Sequence, residues 1–86
     1  MAVLAVSVVS ADQEIWSGEA TQLIARTTEG EIGILPGHEP LLAILAKGEV
    51  RVTTAEGKNV TATADNGFLS VENNTVTVVA STAELV

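Results

Sequence analysis

The run EVRVTT at residues 49–54 alternates without a break, with Val50 and Val52 on one side and Glu49, Arg51 and Thr53 on the other. A period of two puts successive side chains on opposite faces of an extended chain, so this segment can bury its valines together only as a strand with one wet face. NVTATAD repeats the pattern, with Val60, Ala62 and Ala64 opposite Thr61 and Thr63, after the turn-forming AEGKN. DNG reads as a second turn before FLSVE, and NN as a third before TVTVVA. Upstream, VLAVSVV at 3–9 is apolar on both sides and suits a strand covered on both faces. ADQEIWSGEA reads as a polar connection, and TQLIAR resumes a strand with Leu23 and Ala25 on one face. PLLAILAKG offers Pro40 as a helix start and a terminal glycine; inside a run of hairpins it is read instead as a strand with a bulge. Short alternating strands joined by turns predict an all-β sandwich or barrel with hairpin connections.

The 86 residues suffice for one domain whose core hides about 60% of the unfolded surface, so any site is shallow. There is no cysteine, which removes disulfides and thiolate metal clusters as supports. The hydrophobic 47% comes from small aliphatic residues, with one Trp, one Phe and no Tyr. Trp16, beside a strand, is expected to be partly buried core. Four basic residues against eleven acidic ones leave a net charge of -7, which repels phosphate backbones and excludes nucleic acid as a partner. No segment is long and apolar enough to insert into a bilayer, and the opening MAVLAVSVVSA lacks the positive start of a signal peptide.

TTEGEIGILPGHEPLL, residues 27–42, concentrates three of the seven glycines, both prolines and the only histidine. Nucleophilic catalysis needs an oriented base, and His38 has no neighbouring serine and no elbow motif. Zinc lacks a ligand set, and Glu29, Glu31 and Glu39 lack the spacing of a calcium loop, so they are read as solvated carboxylates; no cofactor is implied. The stretch does specify geometry. Ile32 and Ile34 point inward, and Gly33 between them signals a bulge or a close approach. Pro36 and Gly37 occupy the two central positions of a type II turn that delivers His38 to the surface, and Pro40 holds Glu39 extended. A stiff loop presenting polar side chains predicts an interface.

GEIGILPGHEPLL, with VSVVSADQEIWSGEA before it and KGEVRV, DNGFLSVENNTVTVVA and STAEL after it, resembles the N-terminal domain of the epsilon subunit of F-type ATP synthases, from about residue 3 to the end. The resemblance implies a β-sandwich of about ten short, mainly antiparallel strands occupying residues 1–86. It further implies a non-catalytic central-stalk subunit that couples the membrane rotor ring of c subunits to the gamma subunit, on the cytoplasmic face of a bacterial membrane and peripheral to it. In the family the EGE and PGH elements face the ring, which carries over to Glu29, Gly30, Glu31 and His38, with Gly33, Pro36, Gly37 and Pro40 shaping the loop. The family's C-terminal helical hairpin has no counterpart before Val86, so inhibition and nucleotide binding do not carry over. A lipoyl- or biotinyl-type carrier domain with Lys58 in its AEGKN turn, and a generic β-sandwich binding module, are the alternative readings.

Overall fold

The computed structural model describes residues 2–11 and 13–85. Six strands follow one another: β1 (Leu4–Val9), β2 (Glu14–Thr27), β3 (Gly30–Ile34), β4 (Leu41–Thr54), β5 (Asn59–Glu72) and β6 (Thr75–Leu85). Their order is β1-β6-β5-β4-β2-β3, and β1 also pairs with the start of β2, so the sheet closes on itself. All pairings are antiparallel except β1 with β6. The all-β expectation holds, but the structure has six strands rather than about ten short ones.

The difference has a specific cause. Along β5 the buried positions are Ala62 and Ala64, then Leu69 and Leu69's neighbour but one, Val71; the inward face passes from even to odd residues. The same switch occurs between Ala20 and Leu23 in β2 and between Ala80 and Ala83 in β6, and the reverse one, odd to even, between Leu45 and Val50 in β4. A strand cannot change its buried parity without a kink, because side chains alternate strictly. Each of these four strands therefore bends midway and serves two layers around one core. The first layer comprises β1, 14–20 of β2, 41–45 of β4, 67–72 of β5 and 75–80 of β6. The second comprises β3, 20–27 of β2, 48–54 of β4, 59–64 of β5 and 82–85 of β6.

DNG, read as a hairpin turn, is instead the bend of β5. Asn66 takes φ 57°, and pairing to β6 keeps one register from Ala64↔Ala83 to Gly67↔Ala80. Gly67 is required by close approach, since a Cβ there would run into the Val79 carbonyl. ADQEIWSGEA is likewise not a simple connection: β2 begins at Glu14, and Trp16 packs half-buried against the core with its ring over Gly18. PLLAILAKG is a strand, as read; between its partners at Ala25↔Val50 and Thr27↔Leu45 the register with β2 shifts through a bulge. The NN turn holds, with Asn73 at φ 48° and Asn74 at φ 61°, the two positive angles of a type I′ hairpin joining Glu72 to Thr75.

The core is aliphatic. Leu4, Leu23, Ile34 and Leu69 are fully buried, ringed by valines from β1, β4, β5 and β6. Val6, Val8, Val76 and Val78 stack across the parallel β1–β6 pair, but β1 is not covered on both faces as read: its other side leaves Ala5 exposed and Ser7 and Val9 half-buried on the outer face of the sheet.

Candidate functional site

The β2–β3 hairpin turns at Thr28-Glu29 between the paired Thr27 and Gly30. Thr27 is the one buried polar residue of the described chain, and its hydroxyl explains why. It accepts the Glu29 N–H at 3.2 Å and donates to the Gly30 carbonyl at 2.7 Å, so the tip is closed from within. Gly30 sits at φ 121°, outside the comfortable range of an L side chain. The Thr28 N–H donates to the Ile44 carbonyl at 3.0 Å, fixing the tip against β4. Glu29, Gly30 and Glu31 stand exposed on this support.

Glu31 is not a free carboxylate. The Arg51 guanidinium donates to its Oε2 at 3.2 Å, in a pair exposed to solvent on both sides. An exposed pair of this kind stabilises a fold by only about 0–1 kcal/mol.

His38 lies beyond the other end of β3. The Leu35-Pro36-Gly37-His38 turn forms as read: Gly37 takes φ 89° and the His38 N–H donates to the Leu35 carbonyl at 3.1 Å. The Gly37 N–H donates to Asn74 Oδ1 at 2.7 Å, which anchors this turn to the β5–β6 hairpin. The ring is half-buried rather than fully exposed, and Nδ1 donates to the Glu39 carbonyl at 2.7 Å, which leaves Nε2 as the acceptor of the neutral imidazole. Gly33 carries no bulge and no close approach; its register with Ile24 is regular and open space lies where a Cβ would stand. The structure thus places Glu29, Gly30 and Glu31 together and holds His38 apart, separated by a five-residue strand of roughly 3.3 Å per residue.

A cleft of about 450 Å³ opens between the hairpin tip, residues 27–32, and the start of β4, residues 41–44. One wall carries Glu29 and Glu31 and the other the exposed Leu42 and Ile44. Among the described residues no three carboxylate or imidazole side chains converge as metal ligands.

The outer faces of the two layers differ, and here sequence reading missed residues. Across the first layer, Ile44 pairs with Phe68, Phe68 with Val79, and Val79 with Val9. The adjacent row runs Leu42, Ser70, Thr77, Ser7 and Ser17. The second row carries no charge, and the first meets one only at its end, where Val9 pairs with Glu14; Leu42 at 70% and Ile44 at 59% exposure are large apolar side chains in water. The available signal was the apolarity of PLLAIL on both faces of a strand, which VLAVSVV shares and the alternating EVRVTT and NVTATAD do not.

A family model described as the beta-sandwich domain of the ATP synthase delta/epsilon chain matches residues 3–86. The ATP synthase epsilon chain of Micrococcus luteus is 53% identical over 85 residues, 99% of this chain and 93% of its own length. That of Streptomyces coelicolor is 49% identical over 82 residues, and the chain spans 66% of its length. A chain of the Euglena gracilis mitochondrial ATP synthase, solved as OSCP/F1/c-ring in rotational state 1, superposes with a TM-score of 0.92 at 28% identity, covering 99% of this chain and 54% of that one. The carrier reading built on Lys58 is set aside, because the match accounts for the whole sandwich, its turns included. By its sequence from residue 3 onward and by its doubly layered fold, this chain belongs to the family of ATP synthase delta/epsilon chain beta-sandwich domains.

Proposed function

We propose that this chain is a non-catalytic rotor subunit of an F-type ATP synthase, which passes torque between a membrane ring of c subunits and the gamma subunit. The observation that carries the reading is the apolar row on the outer face of the first layer, whose carboxylates, Glu14, Glu19 and Glu72, stand only at its margins. Depletion of charge around exposed aromatic and aliphatic side chains is what marks the core of a protein interface. Ile44, Phe68, Val79 and Val9, flanked by Leu42 and four hydroxyl side chains, supply such a core on a rigid sheet. Gamma is its occupant. Burying this face contributes about 25 cal/mol per Å² of apolar surface, and a sheet face has no loop to yield when the load turns.

The ring meets the polar end: Glu29, Gly30 and Glu31 at the hairpin tip, and His38 on its own turn. Glu31 offers a carboxylate oxygen and His38 an imidazole acceptor, both suited to amide and basic donors in a polar loop. No helix among the described residues is long and apolar enough to cross a membrane, and attachment at the cytoplasmic face of the cell membrane runs through these two contacts.

Reconstitution tests both halves. Ile44→Glu places a charge in the apolar face and is expected to weaken capture of the chain by purified gamma about 100-fold. Glu31→Gln with His38→Ala is expected to leave gamma binding intact and weaken attachment of the gamma complex to isolated c-ring. Wild-type affinity of the Ile44→Glu protein for gamma would overturn the assignment of the first-layer face. Unchanged ring attachment in the double variant would remove the ring contact from the hairpin tip and His38.

A further inference from the structure

We infer that Arg51 is a positioning residue for the Glu31 contact, an inference that rests on the ring-facing role proposed for Glu31. The two residues are not neighbours. Glu31 is on β3 and Arg51 on β4, with β2 between them. The direct cross-strand partner of Glu31 is Arg26, the cation with the shortest route to it. Arg26 is held elsewhere: its stem lies over Gly48, where an added Cβ would stand 3.1 Å from the Arg26 Cδ. Absence of a side chain at Gly48 opens that seat, and Arg26 forms no ion pair among the described residues.

Arg51 takes its place from two strands away. In its row stand Ile24 and then Gly33, and the space above Gly33 is empty. The guanidinium therefore crosses β2 over the half-buried Ile24, with no side chain at Gly33 to block the diagonal to Glu31. This gives the bare glycine in the middle of β3 a use that neither a bulge nor a close approach provides.

The contact is single-ended. One guanidinium nitrogen meets Oε2, and Oε1 has no partner among the described hydrogen bonds. A carboxylate fixed at one oxygen and open at the other is a prepared acceptor for an N–H donor of the ring's polar loop, whether backbone amide or basic side chain. Its rotamer is already chosen, so the ordering cost is met before docking rather than at it. The pair adds little to folding, and its consequence falls on binding.

The test uses this chain in complex with gamma, presented to detergent-solubilised c-ring. Glu31→Gln is expected to weaken ring binding about tenfold, and Arg51→Gln about threefold. In the Glu31→Gln background, Arg51→Gln is expected to add nothing, because its effect passes through Glu31. Arg51→Lys is expected to bind nearly as wild type, since a single donor suffices for a single-ended contact. Thermal unfolding and gamma affinity are expected to stay constant across the set. If Glu31→Gln weakens ring binding and Arg51→Gln does not, the positioning role is wrong while the ring reading stands. Equal loss from Arg51→Gln with and without Glu31 would make Arg51 a ring contact itself and overturn the inference. A lowered unfolding temperature for Arg51→Gln would reduce it to a structural residue. If Glu31→Gln leaves ring binding unchanged, the underlying ring contact fails, and the positioning role with it.

Discussion

The two layers share their inward chemistry and part company on their outward faces. Both send valine, leucine and alanine into one core. Outside, the second layer shows Arg51 beside Thr61, Glu49 opposite Thr63, Thr63 opposite Glu84 and Thr53 opposite Asn59, the surface of a sheet that stays in water. The first shows Ile44, Phe68, Val79 and Val9 in one row. Alternation alone is therefore compatible with a solvated face or a docking face; the identity of the outward residues decides which. The same strands carry both, β4 and β5 passing from one layer to the other at their bends.

That passage is the most fragile part of the contrast, so breaking it has the largest expected effect. Gly67→Val drives a branched side chain into the Val79 carbonyl and the Ala80 backbone at the bend of β5. Neither neighbour is a flexible side chain that can move aside. A loss of about 3–5 kcal/mol is expected, read as a lowered urea midpoint, with gamma and ring binding falling together. An unfolding midpoint near wild type would mean that β5 bends without needing a glycine there.

Exchanging charge between the faces sharpens the comparison without touching the core. Thr61→Glu on the second layer is expected to change gamma affinity by less than about twofold, as surface substitutions usually do, against the large loss from Ile44→Glu. Both positions are on strands paired on each side, so local fold is a matched control. Equal losses at the two sites would show that gamma reads overall charge, not the apolar row.

Much of this organisation is legible in the residues. Val50, Val52, Ala62 and Ala64 declare their buried side by alternation, and Pro36-Gly37 declares its turn by the φ values those residues favour. The bends are less legible, because a kink that preserves register leaves the same local mark as a turn: Asp65-Asn66-Gly67 has the composition of a hairpin and continues as one strand. The strand that carries Glu14 and Trp16 was hidden for a different reason, although Trp16 itself is the partly buried core residue its sequence position implies. Their strand is exposed over Ser17, Gly18 and Glu19, so its polar residues look like a connection until β1 is seen to pair with it. Long-range pairing likewise decided Arg51: nothing within a few residues of it points to Glu31, twenty positions away.

The smallest expected effect concerns how the polar contact is held rather than what it offers. Thr27→Val keeps the shape of a buried residue and removes the hydroxyl that closes the hairpin tip. The Glu29 N–H then loses its acceptor and the Gly30 carbonyl its donor, in a turn whose φ at Gly30 glycine adopts without strain. Because the tip borders water, solvent replaces part of both bonds, and a cost of about 1 kcal/mol is expected in equilibrium unfolding. Amide exchange should accelerate at Glu29 and stay unchanged along the Ile44, Phe68 and Val79 row. Gamma affinity should be unaffected and ring attachment modestly weaker, because only the element carrying Glu29, Gly30 and Glu31 has been loosened. If gamma affinity fell by the same factor as ring attachment, the hairpin tip and the apolar row would be one contact surface, and their separation into a ring end and a gamma face would have to be abandoned.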